Sequence, residues 1–226
     1  MSCGWRSATR VTIRTTAELA ITLGLVLVVF VFYLLVWTNQ QTAAAQSDLE
    51  DDFRAQQSAR GERGKDAKPQ APSSGDGLGI LHIPALGEDW SWVVVEGVSD
   101  DDLKRGPGHF PETAMPGEVG NFAVAGHRAT HGEPFADLDR VEEGDEIVVE
   151  TVDGWLTYEV TWVRILSPTA VEVLEPVAGH PGLEPTARTL TLITCNPRWS
   201  SSERLVVGAQ LTERRKADAG PPPALA

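Results

Sequence analysis

Three side chains in this chain have the types and positions that nucleophilic chemistry needs: Cys195, His127 and Arg204. Cys195 closes the run Thr189-Leu190-Thr191-Leu192-Ile193-Thr194, and the pattern breaks at Asn196-Pro197. A thiolate is a nucleophile when a neighbouring group takes its proton and the sulfur is accessible. His127 ends a second apolar run, Asn121-Phe122-Ala123-Val124-Ala125-Gly126, so an imidazole emerges from a segment end as the thiol does. Arg204 opens the next apolar run, Leu205-Val206-Val207, nine positions after Cys195. Its guanidinium is permanently charged and offers several donors for a polarised carbonyl or a developing oxyanion. A free cysteine is also among the most buried residue types, so an inert core thiol stays open on the residue alone.

The segments that carry these groups read as strands. Alternating apolar positions with β-branched residues have period 2, and Pro197 has no N–H for a ladder, so the cysteine strand stops there. Further strands are expected over residues 78–83, 92–95, 146–152, 156–165 and 205–211, with Asp153-Gly154 as the turn pair of a hairpin within 141–160. Short helices are expected at 99–105, N-capped by Ser99, and at 134–139. Short strands with little helix define a mostly β barrel or sandwich of about 135 residues, spanning 78–212.

The formal net charge is −13. Residues 1–18 hold Arg6, Arg10 and Arg14 against Glu18, which leaves −15 for the rest. Nucleic acid is therefore not expected as a partner. Residues 19–37 carry no charge and are long enough to cross a bilayer as a helix. Tyr33 and Trp37 suit its interfacial end, and the preceding arginines place the N-terminus in the cytoplasm and the remainder outside. A cleaved signal peptide is the alternative, but the apolar run is longer than an h-region, which favours an uncleaved anchor. Cys3 then falls on the cytoplasmic side, away from Cys195, so no disulfide is expected. Residues 38–77 read as a flexible extracellular linker whose first part could continue the helix, and 213–226 as a disordered tail.

Several residues carry plainer readings. His109 lies in a turn-rich loop and suits structural hydrogen bonding; His82 and His180 suit surface or packing roles. Arg198 is the rival to Arg204. The acids Glu142, Glu143, Asp145 and Glu146 fit a solvated hairpin edge better than a calcium loop, and no metal site is expected.

Thr191-Leu192-Ile193-Thr194-Cys195, Gly126-His127-Arg128 and Arg204 resemble the signature of sortases, the cell-wall transpeptidases of Gram-positive bacteria. Gly106-Pro107-Gly108-His109-Phe110, and Asp137-Leu138-Asp139-Arg140-Val141 followed by Gly144-Asp145, extend the resemblance over about 78–211. It is most like class E sortases of high-GC Gram-positive bacteria.

The resemblance implies an eight-stranded sortase-type β-barrel behind one N-terminal transmembrane helix. It implies Cys195 as nucleophile, His127 as general acid and base, and Arg204 as the oxyanion and positioning group, with no cofactor. A thiolate–imidazolium pair would be the competent form. The reaction implied cleaves an LPXTG- or LAXTG-like sorting signal between Thr and Gly and passes the acyl group to an amine of a peptidoglycan precursor. The partners implied are secreted proteins bearing a C-terminal sorting signal.

Thr194, His131, Trp199 and Asn196 are the expected substrate-binding residues, and the loop 167–187 a border of the groove. Class E relatives often carry tyrosine where His131 stands, associated with Ala rather than Pro at the signal's second position, and histidine where Asn196 stands. A non-enzymatic anchored β-module, a hydrolysing cysteine peptidase and a pilus-polymerising sortase remain as alternatives.

Overall fold

The computed structural model describes residues 3–63 and 72–225. The chain divides into two units, Met1–Thr38 and Asn39–Ala226. In the first unit, helix α1 (Cys3–Phe32) contains an apolar stretch, Thr12–Phe32, of 21 residues, long enough to cross a membrane, and its large apolar side chains are exposed. The end of the expected span, Tyr33–Trp37, forms a π-helical turn in which Tyr33 and Trp37 stack.

In the second unit, among the described residues, eight strands close a barrel: β1 (Gly77–His82), β2 (Ser91–Glu96), β3 (Gly108–His109), β4 (Gly120–Ala125), β5 (Glu146–Thr151), β6 (Gly154–Leu166), β7 (Arg188–Asn196) and β8 (Glu203–Lys216). Their order around the barrel is β1-β2-β3-β4-β7-β8-β6-β5. The pairs β2–β3 and β4–β7 are parallel and the others antiparallel. The two-residue β3 is too short to carry an alternating pattern and had no counterpart among the expected strands. The hairpin turn sits one residue earlier than expected: Thr151 pairs with Gly154, so Val152 and Asp153 form the loop.

Alternation sorts each strand into two faces. Leu190 and Leu192 of β7 point into the barrel with Phe122, Val124, Tyr158 and Val207. Ile193 points outward, into a second cluster with Val173 and Val206 beneath the β6–β7 loop. Helix α3 (Asp100–Leu103) starts at Ser99 with reciprocal capping by Asp102, as the sequence indicates. The helix expected over 134–139 is instead a 3-10 turn displaced to Leu138–Arg140.

Two expectations are corrected. The stretch 38–77, read as a flexible linker whose first part could continue the helix, is helical from Thr38 to Arg63 (α2), and that helix is docked rather than free; residues 64–71 lie outside the described residues. Leu49 and Phe53, the few large apolar residues there, are four apart and share one helix face. That face packs on Ile80, Val93 and Val95 outside the barrel. The tail 213–226, read as disordered, continues β8 to Lys216 because β6 starts early enough to pair with it, Leu156 with Arg214 and Gly154 with Lys216. Short 3-10 turns follow at Ala217–Ala219 and Pro223–Leu225.

Candidate active site

Strand register brings the three groups together. The parallel β4–β7 ladder runs from Gly120 opposite Arg188 to Ala125 opposite Ile193. It is prolonged by the Gly126 N–H, which donates to the Ile193 carbonyl at 3.0 Å, and by Thr194 Oγ1, which donates to the Gly126 carbonyl at 2.8 Å. Two residues beyond the last pair, His127 and Cys195 leave neighbouring strands at the same level. On the other side of β7, Cys195 is the register partner of Arg204 in antiparallel β8. Neighbouring strands lie about 4.8 Å apart, so imidazole, thiol and guanidinium issue from three adjacent backbones. Cys195 is half-buried on the face it shares with Ile193, so an apolar floor of Ile193, Val206 and Val173 leads up to the sulfur.

His127 is set by what lies beneath and above it. A Cβ on Gly126 would stand 2.5 Å from the ring of Phe135, which is 0% exposed, so the strand end needs glycine for this close approach. The Phe135 N–H closes the following loop onto the His127 carbonyl at 3.0 Å. His131 stacks over His127 with ring centroids 5.0 Å apart. Burial, and next the charge of His131, hold the His127 pKa below the ordinary imidazole value, and Asp100 opposes them. Burial and Lys104 lower His131 likewise. A neutral imidazole beside a thiol can accept its proton and return it to a leaving amine.

The two arginines are separated by their partners. Arg198 is ion-paired with Glu133 and lies 3.9 Å from Asp137, and its guanidinium carbon sits 5.7 Å from the ring centre of Trp199. Its charge is committed to the loop after His127. Arg204 shares the Cys195 register, and its Nη1 donates to the Ser201 and Glu203 carbonyls at 3.0 and 2.9 Å.

The expected substrate contacts divide. His131 stands in the site, over His127. Trp199 is 71% exposed on the rim. Thr194 is buried at 2% exposure and spends its hydroxyl on the Gly126 carbonyl, so alternation turns it away from the groove; it ties β7 to β4. Asn196 is likewise occupied: its oxygen accepts from Arg128 Nη1 and its nitrogen donates to Glu203 at 2.7 Å.

Arg128 is the residue whose role the sequence did not disclose. It is 6% exposed and joins Asn196 to Asp139 (2.9 Å) and to the Ala136 carbonyl (3.3 Å), fixing the residue after the thiol to the loop after the imidazole. Its place in Gly126-His127-Arg128 was the available signal. The loop 167–187 is pinned from below by Asn121, whose amide nitrogen donates to the Val173 and Glu175 carbonyls at 2.8 and 3.2 Å while its oxygen accepts from Thr191 Oγ1 at 2.7 Å. Among the described residues no group of three or more His, Cys, Asp or Glu side chains is placed to hold a metal ion.

A closed barrel with a half-buried thiol between an imidazole and a guanidinium defines a cysteine-centred site at a strand end. The Sortase domain family profile matches residues 81–212. The chain is 40% identical over 224 residues to Sortase SrtE1 of Streptomyces coelicolor, covering 94% of this chain and 60% of that protein. It is 37% identical to Sortase SrtE2 of the same organism, covering 89% of this chain and 82% of the relative. The crystal structure of Sortase E1 from Streptomyces coelicolor with tripeptide in the active site superposes with a TM-score of 0.62 at 42% identity, over 69% of this chain and all of that one. The chain belongs to the sortase family of cysteine transpeptidases, and its relatives place it with class E.

Proposed function

We propose that this chain is a membrane-anchored transpeptidase that cleaves an LPXTG- or LAXTG-like sorting signal between Thr and Gly and transfers the carrier protein to an amine of a cell-wall precursor. The observation that carries this reading is the register: His127, Cys195 and Arg204 emerge side by side from β4, β7 and β8. Burial, which lowers the His127 pKa, favours the neutral imidazole that can accept the thiol proton, and the thiolate–imidazolium pair expected from the resemblance forms on that transfer. Cys195 Sγ then attacks the threonine carbonyl carbon, with Arg204 turned from its loop carbonyls toward the developing oxyanion. The Thr–Gly C–N bond breaks, His127 returns the proton to the leaving glycine amine, and a thioester remains on Cys195. The acceptor amine attacks that thioester and gives a proton to His127, and the thiol is regenerated by taking it back.

An apolar helix at Thr12–Phe32 supports anchoring, and the arginines before it support a cytoplasmic N-terminus with the barrel outside. The relative crystallised with a tripeptide in its active site supports a peptide substrate here. Peptides of both signal types, incubated with the full chain and an amine acceptor, test the proposal by mass spectrometry. Amine-dependent product that disappears in Cys195→Ala is the expected result. Cleavage with release to water at every acceptor concentration would make the protein a peptidase instead, and no cleavage of either peptide would refute the signal class.

A further inference from the structure

The residues just beyond His127 adopt an unusual backbone. Thr130, His131, Gly132 and Glu133 have φ of 67°, 50°, 75° and 53°, four consecutive residues in the left-handed region. Outside glycine each costs on the order of 1 kcal/mol, so such a turn persists only where its surroundings hold it. Part of the hold is internal: the Glu133 carboxylate accepts from the Thr130 N–H at 3.2 Å, and Thr130 Oγ1 bonds His131 Nδ1 at 2.9 Å. Arg198 holds Glu133 from the β7–β8 loop.

The remaining hold comes from α2. Asn39 Oδ1 accepts the Gly132 N–H at 2.9 Å. At that point the turn is pressed so closely on β2 and α2 that a Cβ on Gly132 would stand 2.5 Å from the Trp92 ring and 3.0 Å from Thr42 Cγ2. The helix presenting Asn39 is itself fixed. Thr42 Oγ1 donates to the Lys104 carbonyl at 2.7 Å. Gln46 bonds both the N–H and the carbonyl of Val93, and the Arg105 carbonyl. Leu49 and Phe53 are buried, and Arg54 and Gln57 reach Glu150.

We propose that Asn39 is a positioning residue of the active site: from α2, outside the barrel, its amide holds the left-handed turn 130–133 and thereby keeps His131 stacked on His127. The proposal rests on the reading of His127 as the acid and base. The charged groups bearing on the stacked pair are Asp100, the first residue of α3, and Lys104, its C-cap, with Glu133 and Arg198 paired at the turn itself, and Asn39→Ala alters none of them.

The test uses the full chain in detergent, with kcat and KM for transpeptidation of a sorting-signal peptide, thermal stability, and the pH profile of Cys195 alkylation by iodoacetamide. A Cys3→Ser background removes the second thiol. Asn39→Ala is expected to lower kcat about tenfold with little change in KM, as misplacement of a reacting group does. It is also expected to alter the alkylation profile; Asn39→Asp, which keeps the acceptor oxygen but adds a negative charge beside the turn, is expected to restore kcat. Arg188→Ala removes the bond from Arg188 Nε to the Gly117 carbonyl at the far end of β7, away from α2 and the turn, and is expected to lower stability while leaving kcat and the profile near wild type.

Wild-type kcat and profile in Asn39→Ala would overturn the proposal. So would an equal loss in Arg188→Ala, which would mark general destabilisation. Wild-type turnover in His127→Ala would instead overturn the acid–base reading, and the proposal with it; an inactive His127→Ala beside an unaffected Asn39→Ala would overturn the proposal alone.

Discussion

The rings of His127 and His131 stack with centroids 5.0 Å apart and planes inclined by 29°. The contact has an electrostatic consequence, because His131 helps burial to hold the His127 pKa down. Removing the second ring raises it. A general base works in its unprotonated form, and a raised pKa means that this form is lost at higher pH as the solution is acidified. His131→Ala should therefore move the acid limb of the kcat/KM profile to higher pH and leave the neutral plateau closer to wild type. An acid limb that stays in place would show that His131 does not tune His127.

Glu150 ties α2 to the barrel. It is 2% exposed, and burial alone would raise its pKa, but His82, 3.7 Å away, and hydrogen bonds from Arg54 and Gln57 outweigh burial and hold the carboxyl at about 2. Its folded pKa lies below the unfolded value, so its contribution is full above about 4.5 and is lost as pH falls toward about 2. The shift corresponds to about 3 kcal/mol. Glu150→Gln should be less stable than wild type at neutral pH by up to that amount, and the gap should close as pH is lowered through this window. Thermal or urea unfolding across the pH series measures it; a gap independent of pH would assign the loss to packing rather than to the charge.

The barrel was legible where alternation is strong. β4 and β7 are runs of β-branched and aromatic residues, and their ends announce His127 and Cys195. The partnership of those ends was not legible from the pattern, because β4 ends at Ala125 and β7 begins only at Arg188, and the two pair in parallel through register. The docking of α2 was hidden for a different reason. Its composition is that of a polar linker, and its attachment depends on two apolar residues on one face, on Gln46 meeting buried backbone, and on Arg54 and Gln57 meeting the buried Glu150 carboxylate of β5. Thr194 and Asn196 show a third limit. Adjacency to Cys195 suggested contact with substrate, but in a strand the neighbour points to the opposite face, and Asn196 spends its amide on Arg128 and Glu203.

The loop 167–187, the expected border of the groove, has its own support in Asn121. Loops carry selectivity, but a loop has no fixed shape unless its backbone groups find partners. Here one buried amide, 1% exposed, bonds the Val173 and Glu175 carbonyls and is oriented by Thr191 Oγ1. Asn121 and Thr191 share the outward face of their strands with Cys195, so the clamp lies beneath the same surface as the thiol. Asn121→Ala removes both bonds to the loop and leaves Thr191 Oγ1 without its acceptor, at a cost of about 1–3 kcal/mol. His127, Cys195 and Arg204 keep their strand positions. The expected kinetic result is therefore a severalfold rise in KM for the sorting-signal peptide with kcat nearly maintained, because the clamp acts on binding rather than on the reacting groups. A fall in kcat at unchanged KM would show instead that Asn121 acts through β4 on His127.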